Sequence, residues 1–336
     1  MTIKRGFATA VLLLLIAFAT QPLSAAQPMQ KIKLTVPSVE ASDTAYFVAA
    51  QKGYFAAEGL DVEFVFAGGG TATPALLSGT VDGSASGAAA LTAILRGAPL
   101  RVILVFTDSP TFKLWGTSDI HTLADLKGKS VGVATRGDTF EIATRLALAG
   151  AGIPPDSVGF TPLGFASGIG AAIESGALPA VVLSTASAVK MQDLGQLKKA
   201  HVVADYYGKV HMPWNGLAVS EKLLYGDPAL AKKIVRAIVK GARYMRVFKS
   251  EAVAMVGKYQ QTTNAHATAL DYDELVRALT PDLTSKDEFL ESDLGVRAAM
   301  LNMPSDQIPP LDKVYDFAIV RAVNAELNAS HWKPVR

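Results

Sequence analysis

The sequence predicts an α/β protein of two doubly wound lobes, and three observations carry that prediction. Short β-branched strands alternate with helical stretches, with glycine or serine punctuating many strand ends. The same grammar starts again after Thr117. The last third then turns mostly helical. Two α/β units in series without a low-complexity linker imply lobes joined by short hinges.

In the first unit Ile32–Val36 alternates as a strand ended by Pro37 and Ser38, and Ala45–Gln51 reads as a helix closed by Gly53. Leu60–Phe66 is a second strand with Gly68, Gly69 and Gly70 directly after it. A helix over Thr73–Ser78 stops at Gly79. Val81–Ser84 is a third strand running into Ser84-Ala85-Ser86-Gly87, followed by a helix over Ala88–Arg96. Arg101–Phe106 is apolar throughout, as a buried strand should be.

The second unit has strands at Val131–Ala134, Val158–Leu163 and Ala180–Leu183. A helix ends at Ala149, and a loop over Gly164–Gly170 leads to a helix ending at Ser175. In the tail, Pro228–Phe248 is one long helix with Leu230, Ile234, Ile238 and Met245 near one face. Its basic residues Lys232, Lys233, Arg236, Lys240 and Arg243 lie largely on others and read as a solvated surface. Helices over Ala252–Tyr259, Tyr272–Leu279 and Val314–Leu327 complete the tail, with an Asp- and Pro-rich loop before the last.

Residues 1–26 read as a secretory signal. Lys4 and Arg5 precede the apolar run Ala8–Ala19, and Leu23-Ser24-Ala25 places small residues for cleavage near Ala25 or Ala26. The run is short for a bilayer span. With no cysteine there is neither a lipid-attachment site nor a disulfide framework, so the expectation is a soluble exported, periplasmic protein. Beyond residue 26 the chain has 30 basic and 30 acidic residues. No basic stripe with interleaved aromatics appears, which argues against a nucleic-acid partner.

The stretch 125–149 concentrates the chemistry. The strand Ser130–Ala134 runs into Thr135-Arg136-Gly137-Asp138 and then a helix, and Asp138 with Glu141 has capping-box spacing. Free N–H groups, a helix N-terminus and a guanidinium meet there, as an anion-binding corner requires. The alternative is that Arg136 is an ordinary exposed loop residue. Gly128-Lys129-Ser130 is no phosphate loop, because Leu123 stands where that motif needs glycine and a strand follows.

Ligands of doubly wound sheets sit at the carboxyl ends of strands, so the candidates come from the loops there. In the first unit they are Ser38, Asp43, Gly69, Gly70, Thr71, Ser84, Ser86 and Gly87. In the second they are Arg136, Gly137, Asp138, Thr139, Phe165, Ser167, Ser184 and Thr185. Trp214 and Asn215, beside Pro213 at the return between units, add a stacking ring and an amide, with Tyr46 and Phe112 as weaker aromatic candidates. Each has a structural alternative: the glycines as a turn, Ser84 and Ser86 as caps, Asp43 as an N-cap, Trp214 as packing at the lobe boundary.

Several segments carry a family resemblance: AAQKGYFAAEGLDVEFVFAGGG (49–70), LLSGTVDGSASG (76–87), RGAPLRVI (96–103) and HTLADLKGKSVGV (121–133). ESGALPAVVLS (174–184) and NGLAVSEKLL (215–224) continue it. Together they resemble the periplasmic substrate-binding proteins of ABC importers, in the nitrate/sulfonate/taurine and thiamine-pyrimidine-precursor group, over about residues 31–327. The resemblance implies a two-lobed, type II periplasmic binding protein fold joined by a two-strand hinge. Lobe one would span 27–119 plus 217–336 and lobe two 120–216. It implies a small polar or anionic solute, sulfonate-, nitrate- or organic-acid-like, bound between the lobes of a monomer. Its partners would be an inner-membrane permease and a cytoplasmic ATPase. A periplasmic sensor presenting its closed form is the alternative. Ala180 departs from the aspartate common in the family, removing any polar contact from that position.

An enzyme reading finds little support. GSASG (83–87) puts alanine where a nucleophile elbow needs serine, and His121, His201, His211, His266 and His331 lack metal-ligand spacing. Gly168-Ile169-Gly170 begins like a dinucleotide fingerprint, but Ile173 replaces its third glycine. A pyrimidine synthase similar to these binding proteins depends on a cysteine-rich motif absent from this chain. The expectation is therefore binding without catalysis, cofactor or metal.

Overall fold

A computed structural model describes residues 28–37, 43–164, 167–260 and 264–336. The signal peptide expected at 1–26 and the candidates Ser38 and Phe165 lie outside the described residues.

Two mixed five-stranded sheets organise the molecule. The first is built from β1 (Gln30–Val36), β2 (Leu60–Phe66), β3 (Gly83–Ser84), β4 (Leu100–Val105) and β10 (Gly216–Ser220), in the order β2-β1-β3-β10-β4. The second is built from β5 (Phe112–Gly116), β6 (Ser130–Val133), β7 (Gly159–Pro162), β8 (Ala180–Ser184) and β9 (His201–Asp205), in the order β7-β6-β8-β5-β9. In each, three parallel strands come from the alternation visible in the sequence. β10 runs antiparallel to β3 and β4, and β5 runs antiparallel to β8 and β9.

Those antiparallel pairings had little sequence signal. FKLWG, HVVAD and GLAVS are five residues each; the first two have no adjoining helix in a strand–helix repeat, and the helix Glu221–Gly226 that follows GLAVS gives no sign that its strand runs antiparallel. Their placement matters to the lobe division. Phe112–Gly116, placed with the first lobe by a boundary at 119, pairs in the second sheet, with Phe112 opposite Ser184 and Gly116 opposite Ala180. Once β8 presents a free edge, this strand can bury its ladder bonds only there.

Helices cover both sheets, among them the short α2 (Tyr54–Ala57) and α8 (Glu221–Gly226), α10 (Lys249–Gln260) and the last, α13 (Ala318–Ala329). α1 (Thr44–Gln51) is almost wholly buried, and α9 (Pro228–Val247) lies along it with Leu230, Ile234, Ile238 and Met245 in the core. Gly241 is where these two helices come closest, since a Cβ there would stand 2.2 Å from Ala45 O. The basic face of α9 is ion-paired rather than simply solvated. Arg236 bonds Glu58 and Glu326 at 2.7 Å each, and Lys240 bonds Glu58 at 3.0 Å. No helix among the described residues is long and apolar enough to cross a membrane.

Two further boundaries differ from the sequence reading. The helix expected from Thr73 starts at Gly69, forming α3 (Gly69–Ser78), because Gly68 supplies an extended N-cap and the next two glycines accept helical angles. The Asp-rich stretch expected as loop contains α12 (Asp287–Met300), whose acidic first turn suits a helix N-terminus. α12 joins the lobes. Leu290 and Leu294 belong to the first lobe's core, while Val296 and Met300 pack on the second's.

Two crossovers, residues 106–111 and 206–215, connect the sheets as an antiparallel ribbon. Phe106 N–H donates to Asn215 O at 2.7 Å, Trp214 N–H to Thr107 O at 3.0 Å, and Met212 N–H to Asp108 O at 2.9 Å. Tyr206 N–H reaches Phe112 O at 3.0 Å. The carboxyl ends of β1, β3, β6 and β8 face one another across the front of this ribbon, which is where a two-lobed α/β protein places a ligand.

Candidate functional site

Strand ends and the ribbon carry buried polar atoms that have no hydrogen-bond partner among the described residues. Among them are Thr35 Oγ1 at the end of β1, Ser86 Oγ after β3, and Thr107 Oγ1 and Asn215 Nδ2 in the ribbon. In the second lobe Thr185 Oγ1, directly after β8, is likewise without a partner, one residue on from Ser184, which pairs with Phe112 at the end of the ribbon. Burying a hydroxyl or amide without a partner costs about 1–3 kcal/mol, and native proteins tolerate it mainly where the group has another use.

Ser86 occupies the N-cap position of α4 (Gly87–Leu95), but its side chain makes no capping bond there. Ser84 Oγ instead accepts Ser86 N–H at 3.2 Å. The two serines of the motif therefore divide, one spent on a turn and one left with its hydroxyl unengaged. Gly87 is held by close packing: a Cβ there would stand 3.4 Å from the Gly216 backbone, and one on Gly216 only 2.0 Å from Leu104 O. The glycines bring α4 onto the hinge rather than admitting a ligand to their own backbone. Tyr46 joins the same corner by donating its hydroxyl to Gly216 O at 2.9 Å. Burial, with the nearby charge of Asp43, holds that phenol well above its usual pKa. Asp43 itself is buried at the N-cap position of α1.

The second lobe's corner resolves differently from the expectation. Asp138 caps α5 (Thr139–Gly150): Oδ1 accepts Glu141 N–H at 2.9 Å and Oδ2 accepts Thr135 N–H at 2.8 Å. Glu141 Oε2 accepts Gly137 N–H at 2.9 Å, made possible by the left-handed turn at Gly137, whose φ is +74°. The corner binds anions as its geometry promises, and the anions are the chain's own carboxylates. Burial raises the Asp138 pKa against the lowering effect of these bonds. Thr139 is the first, half-buried residue of α5.

Arg136 points elsewhere. Its Nη1 donates to Phe160 O at 2.9 Å. Gly159 N–H and Leu163 N–H are turned to β6, donating to Lys129 O and Val133 O. Phe160, one residue out of phase, turns its carbonyl to the open edge of β7. The guanidinium thus closes a sheet edge. Ser184 is a helix cap, accepting Ser187 N–H at 3.2 Å ahead of α7 (Thr185–Asp193). Ser167 opens α6 (Ser167–Glu174), while Gly69, Gly70 and Thr71 form the first turn of α3, where the Thr71 hydroxyl bonds Gly68 O at 3.1 Å.

Aromatic rings meet at the same seam. Trp214, half-buried, packs edge-on against Phe112 with ring centroids 4.6 Å apart, and Phe112 meets Phe140 of α5 at 4.7 Å. On the other lobe Tyr46 packs on Phe106 at 5.4 Å. Of the residues sequence reasoning singled out, the structure brings Ser86, Asn215, Trp214 and Thr185 together with Gly87, Tyr46 and Phe112. It ties Arg136, Asp138, Ser84 and Ser184 into local bonds. Sequence reasoning misses Thr35 and Thr107: Thr35 sits inside the alternating strand QKIKLTV and Thr107 just beyond the buried strand LRVILV, and neither position shows from sequence alone which way its hydroxyl turns.

Comparison with known proteins agrees with this architecture. A riboflavin-binding protein, RibY of Chloroflexus aurantiacus, is 28% identical over 231 residues, covering 66% of this chain. The match spans 64% of that relative's length, just under two thirds. The periplasmic aliphatic sulphonate-binding protein SsuA of Escherichia coli superposes with a TM-score of 0.68 at 16% identity, over 85% of this chain and 91% of that one. The periplasmic nitrate-binding protein NrtA of Synechocystis PCC 6803 does so with a TM-score of 0.64 at 13% identity, over 90% of each chain. At such identities these likenesses establish the two-lobed binding-protein fold alone. The profile of the NMT1/THI5-like family matches residues 41–251, well over half of the sequence, and the chain belongs to that family.

Proposed function

We propose that this protein is the periplasmic solute-binding component of an ABC import system, and that its solute is an uncharged, planar molecule rich in hydrogen-bonding groups. It closes its two lobes on that solute without chemical turnover and presents the closed form to a permease served by a cytoplasmic ATPase. A ligand touching both lobes binds the closed form better than the open one, and that difference in affinity is the signal. Family membership and the two-lobed fold support the general reading, and the export signal read in the sequence supports the compartment.

The ligand class rests on one observation above the others: the partnerless groups of Ser86, Thr107, Asn215 and Thr185 are all neutral, while the ribbon's remaining partnerless group, His211 Nδ1, belongs to a ring stacked on Phe289 at 3.9 Å, away from them. The segments after β1, β2, β3, β6, β7 and β8 contain one basic residue, Arg136, and it is bonded to Phe160 O. Asp43 and Asp138 add carboxylates at the same strand ends. Such a lining repels a sulfonate or nitrate and suits carbonyl, imide and hydroxyl groups on a flat ring able to stack beside Trp214. The riboflavin ligand named for the Chloroflexus relative has that chemistry.

Thermal unfolding of the purified protein with riboflavin, simple pyrimidines, nitrate and an alkanesulfonate tests this. A ligand at a hundredfold excess over its Kd adds about 2.7 kcal/mol of apparent stability. Stabilisation by one of the uncharged rings is expected. Stabilisation by nitrate or the sulfonate, with none from the rings, would overturn the ligand class while leaving the transport role in place.

A further inference from the structure

The hinge has a rear as well as a front. β4 is an outer strand of the first sheet and β9 of the second, while β2 and β7 lie at the opposite edges. The mouth of the cleft is therefore on the β2 and β7 side. Behind β4 runs the segment 279–283, fixed to the first lobe. Val105 N–H donates to Leu283 O at 2.9 Å, and Thr280 donates through its N–H to Phe106 O at 2.7 Å and through its hydroxyl to Val105 O at 2.8 Å. Tyr207 stands opposite, two residues beyond β9, with its N–H on Asp205 Oδ1 at 3.0 Å. It belongs with the second lobe.

Between these walls is a cavity of about 420 Å³ bounded by Ser109, Tyr207, His211, Arg277, Ser285 and Phe289. Tyr207 bridges it. Its hydroxyl donates to Arg277 O at 2.9 Å, and the Arg277 guanidinium lies 4.0 Å from its ring centroid. Arg277 is near the end of α11 (Ala265–Ala278), one turn before the fixed segment.

We propose that this contact is a rear tie that holds the lobes open, so that affinity at the front depends in part on Tyr207 and Arg277 behind the hinge. The proposal rests on the lobe-closure reading above. Two bodies rotating about the ribbon behave as a lever: when the front narrows, the rear must widen. The Tyr207–Arg277 contact exists only while the rear is narrow, so it stabilises the open form alone, and a ligand must supply that difference on closing. Bulk placed in the rear cavity acts in the opposite sense, because it is accommodated better when the rear is wide.

The cysteine-free chain makes the test direct. Asp61→Cys near the start of β2 and Asp156→Cys just before β7 place one spin label on the mouth-side edge strand of each lobe, at its end away from the cleft, where the label does not disturb the site and still reports lobe rotation; the Asp156 side chain is 94% exposed. In the ligand-free labelled protein, Tyr207→Phe removes the hydroxyl tie and keeps the ring, and Ser285→Trp fills the cavity. Both are expected to move the label-to-label distance distribution to shorter values than in the labelled parent. An unchanged or longer distribution in either folded variant overturns the tie. If Ser285→Trp does not fold, Tyr207→Phe decides alone, since loss of one exposed hydroxyl does not threaten the fold. Riboflavin added to the parent separates the two ideas. Shortening with riboflavin but not with the variants defeats the tie and leaves binding standing; the converse defeats riboflavin as ligand and leaves the tie.

Discussion

Thr107 and Thr280 are neighbours at the hinge and allow one substitution to be read with opposite signs. Thr107 has no exposed surface and its hydroxyl has no partner. Thr280 is 5% exposed and its hydroxyl donates to Val105 O at 2.8 Å. Valine replaces the hydroxyl by a methyl of nearly equal shape in both. Thr280→Val loses a made hydrogen bond, a cost of about 1 kcal/mol. Thr107→Val removes a desolvated group that receives nothing in return, and should stabilise the ligand-free protein by about 1 kcal/mol. The two variants should thus differ by about 2 kcal/mol, read as urea midpoints moving in opposite directions at an unchanged slope. Once a ligand is in hand, Thr107→Val should also weaken its binding roughly 2- to 13-fold, the equivalent of one neutral hydrogen bond. A stabilised protein that binds worse is the expected signature of a group kept for function. Destabilisation of Thr107→Val comparable to that of Thr280→Val would refute the assignment of Thr107 to the site.

Three further outcomes follow from the local bonding. Arg136→Ala should leave ligand affinity by calorimetry unchanged and stability within about 0.5 kcal/mol, since it loses one bond at an exposed sheet edge; a large loss of affinity would return Arg136 to the cleft. Asp138→Ala frees the two backbone N–H groups of Thr135 and Glu141 and should cost about 1–2 kcal/mol in chemical unfolding. Asp125 accepts the backbone N–H groups of His121 and Thr122 and the Thr122 hydroxyl, which lower its pKa. A carboxyl with a depressed folded pKa contributes stability above its ordinary pKa, and that contribution is lost as pH falls through the ordinary value toward the folded one. Asp125→Asn should accordingly flatten the acid limb of the stability–pH profile and leave its slope at neutral pH unaltered.

What could be read in the sequence divides along physical lines. Parallel strands of βα units announce themselves because a β-branched run, a turn and an amphipathic helix follow in fixed order. β1, β2, β6 and β8 were visible for that reason. Phe112–Gly116 and His201–Asp205 have no such context, and Gly216–Ser220, though a helix follows it, pairs antiparallel rather than as a βα strand. Their identity as strands comes from the edges they complete, which are tertiary facts. The same division holds at the site. Ser86, Asn215 and Thr185 are candidates by their position at strand ends or beside the hinge, and each has a buried polar atom without a partner among the described residues. Whether a hydroxyl there is spent locally depends on a single neighbour: Ser84 is taken by Ser86 N–H and Ser184 by Ser187 N–H. Thr107 was passed over because RVILVF reads as a strand to be buried, and nothing in the next residue tells which side its hydroxyl takes.

The corner at 135–141 shows how a local inference about charge changes once the partners of each donor are known. Its N–H groups and helix N-terminus favour negative charge, and that physics is sound. Yet the spacing that makes Asp138 and Glu141 a capping pair also delivers two carboxylates to the same donors, at 2.8 to 2.9 Å. An anionic solute would have to take those donors from both carboxylates, and although Arg145 Nε keeps Glu141 Oε1 paired at 3.0 Å, Asp138 would lose both of its backbone bonds, a cost larger than one new charge-assisted bond returns. With Arg136 turned to the β7 edge and Arg145 engaged by Glu141 at 3.0 Å and Asp156 at 2.8 Å, both guanidinium groups near that turn already have acceptors. The same capping pattern that reads as an anion site in the sequence thus argues, once its partners are seen, for a neutral one. Asp138→Asn distinguishes the cases: by removing a charge while keeping an acceptor, it should leave binding of an uncharged solute nearly unaltered and improve binding of an anion.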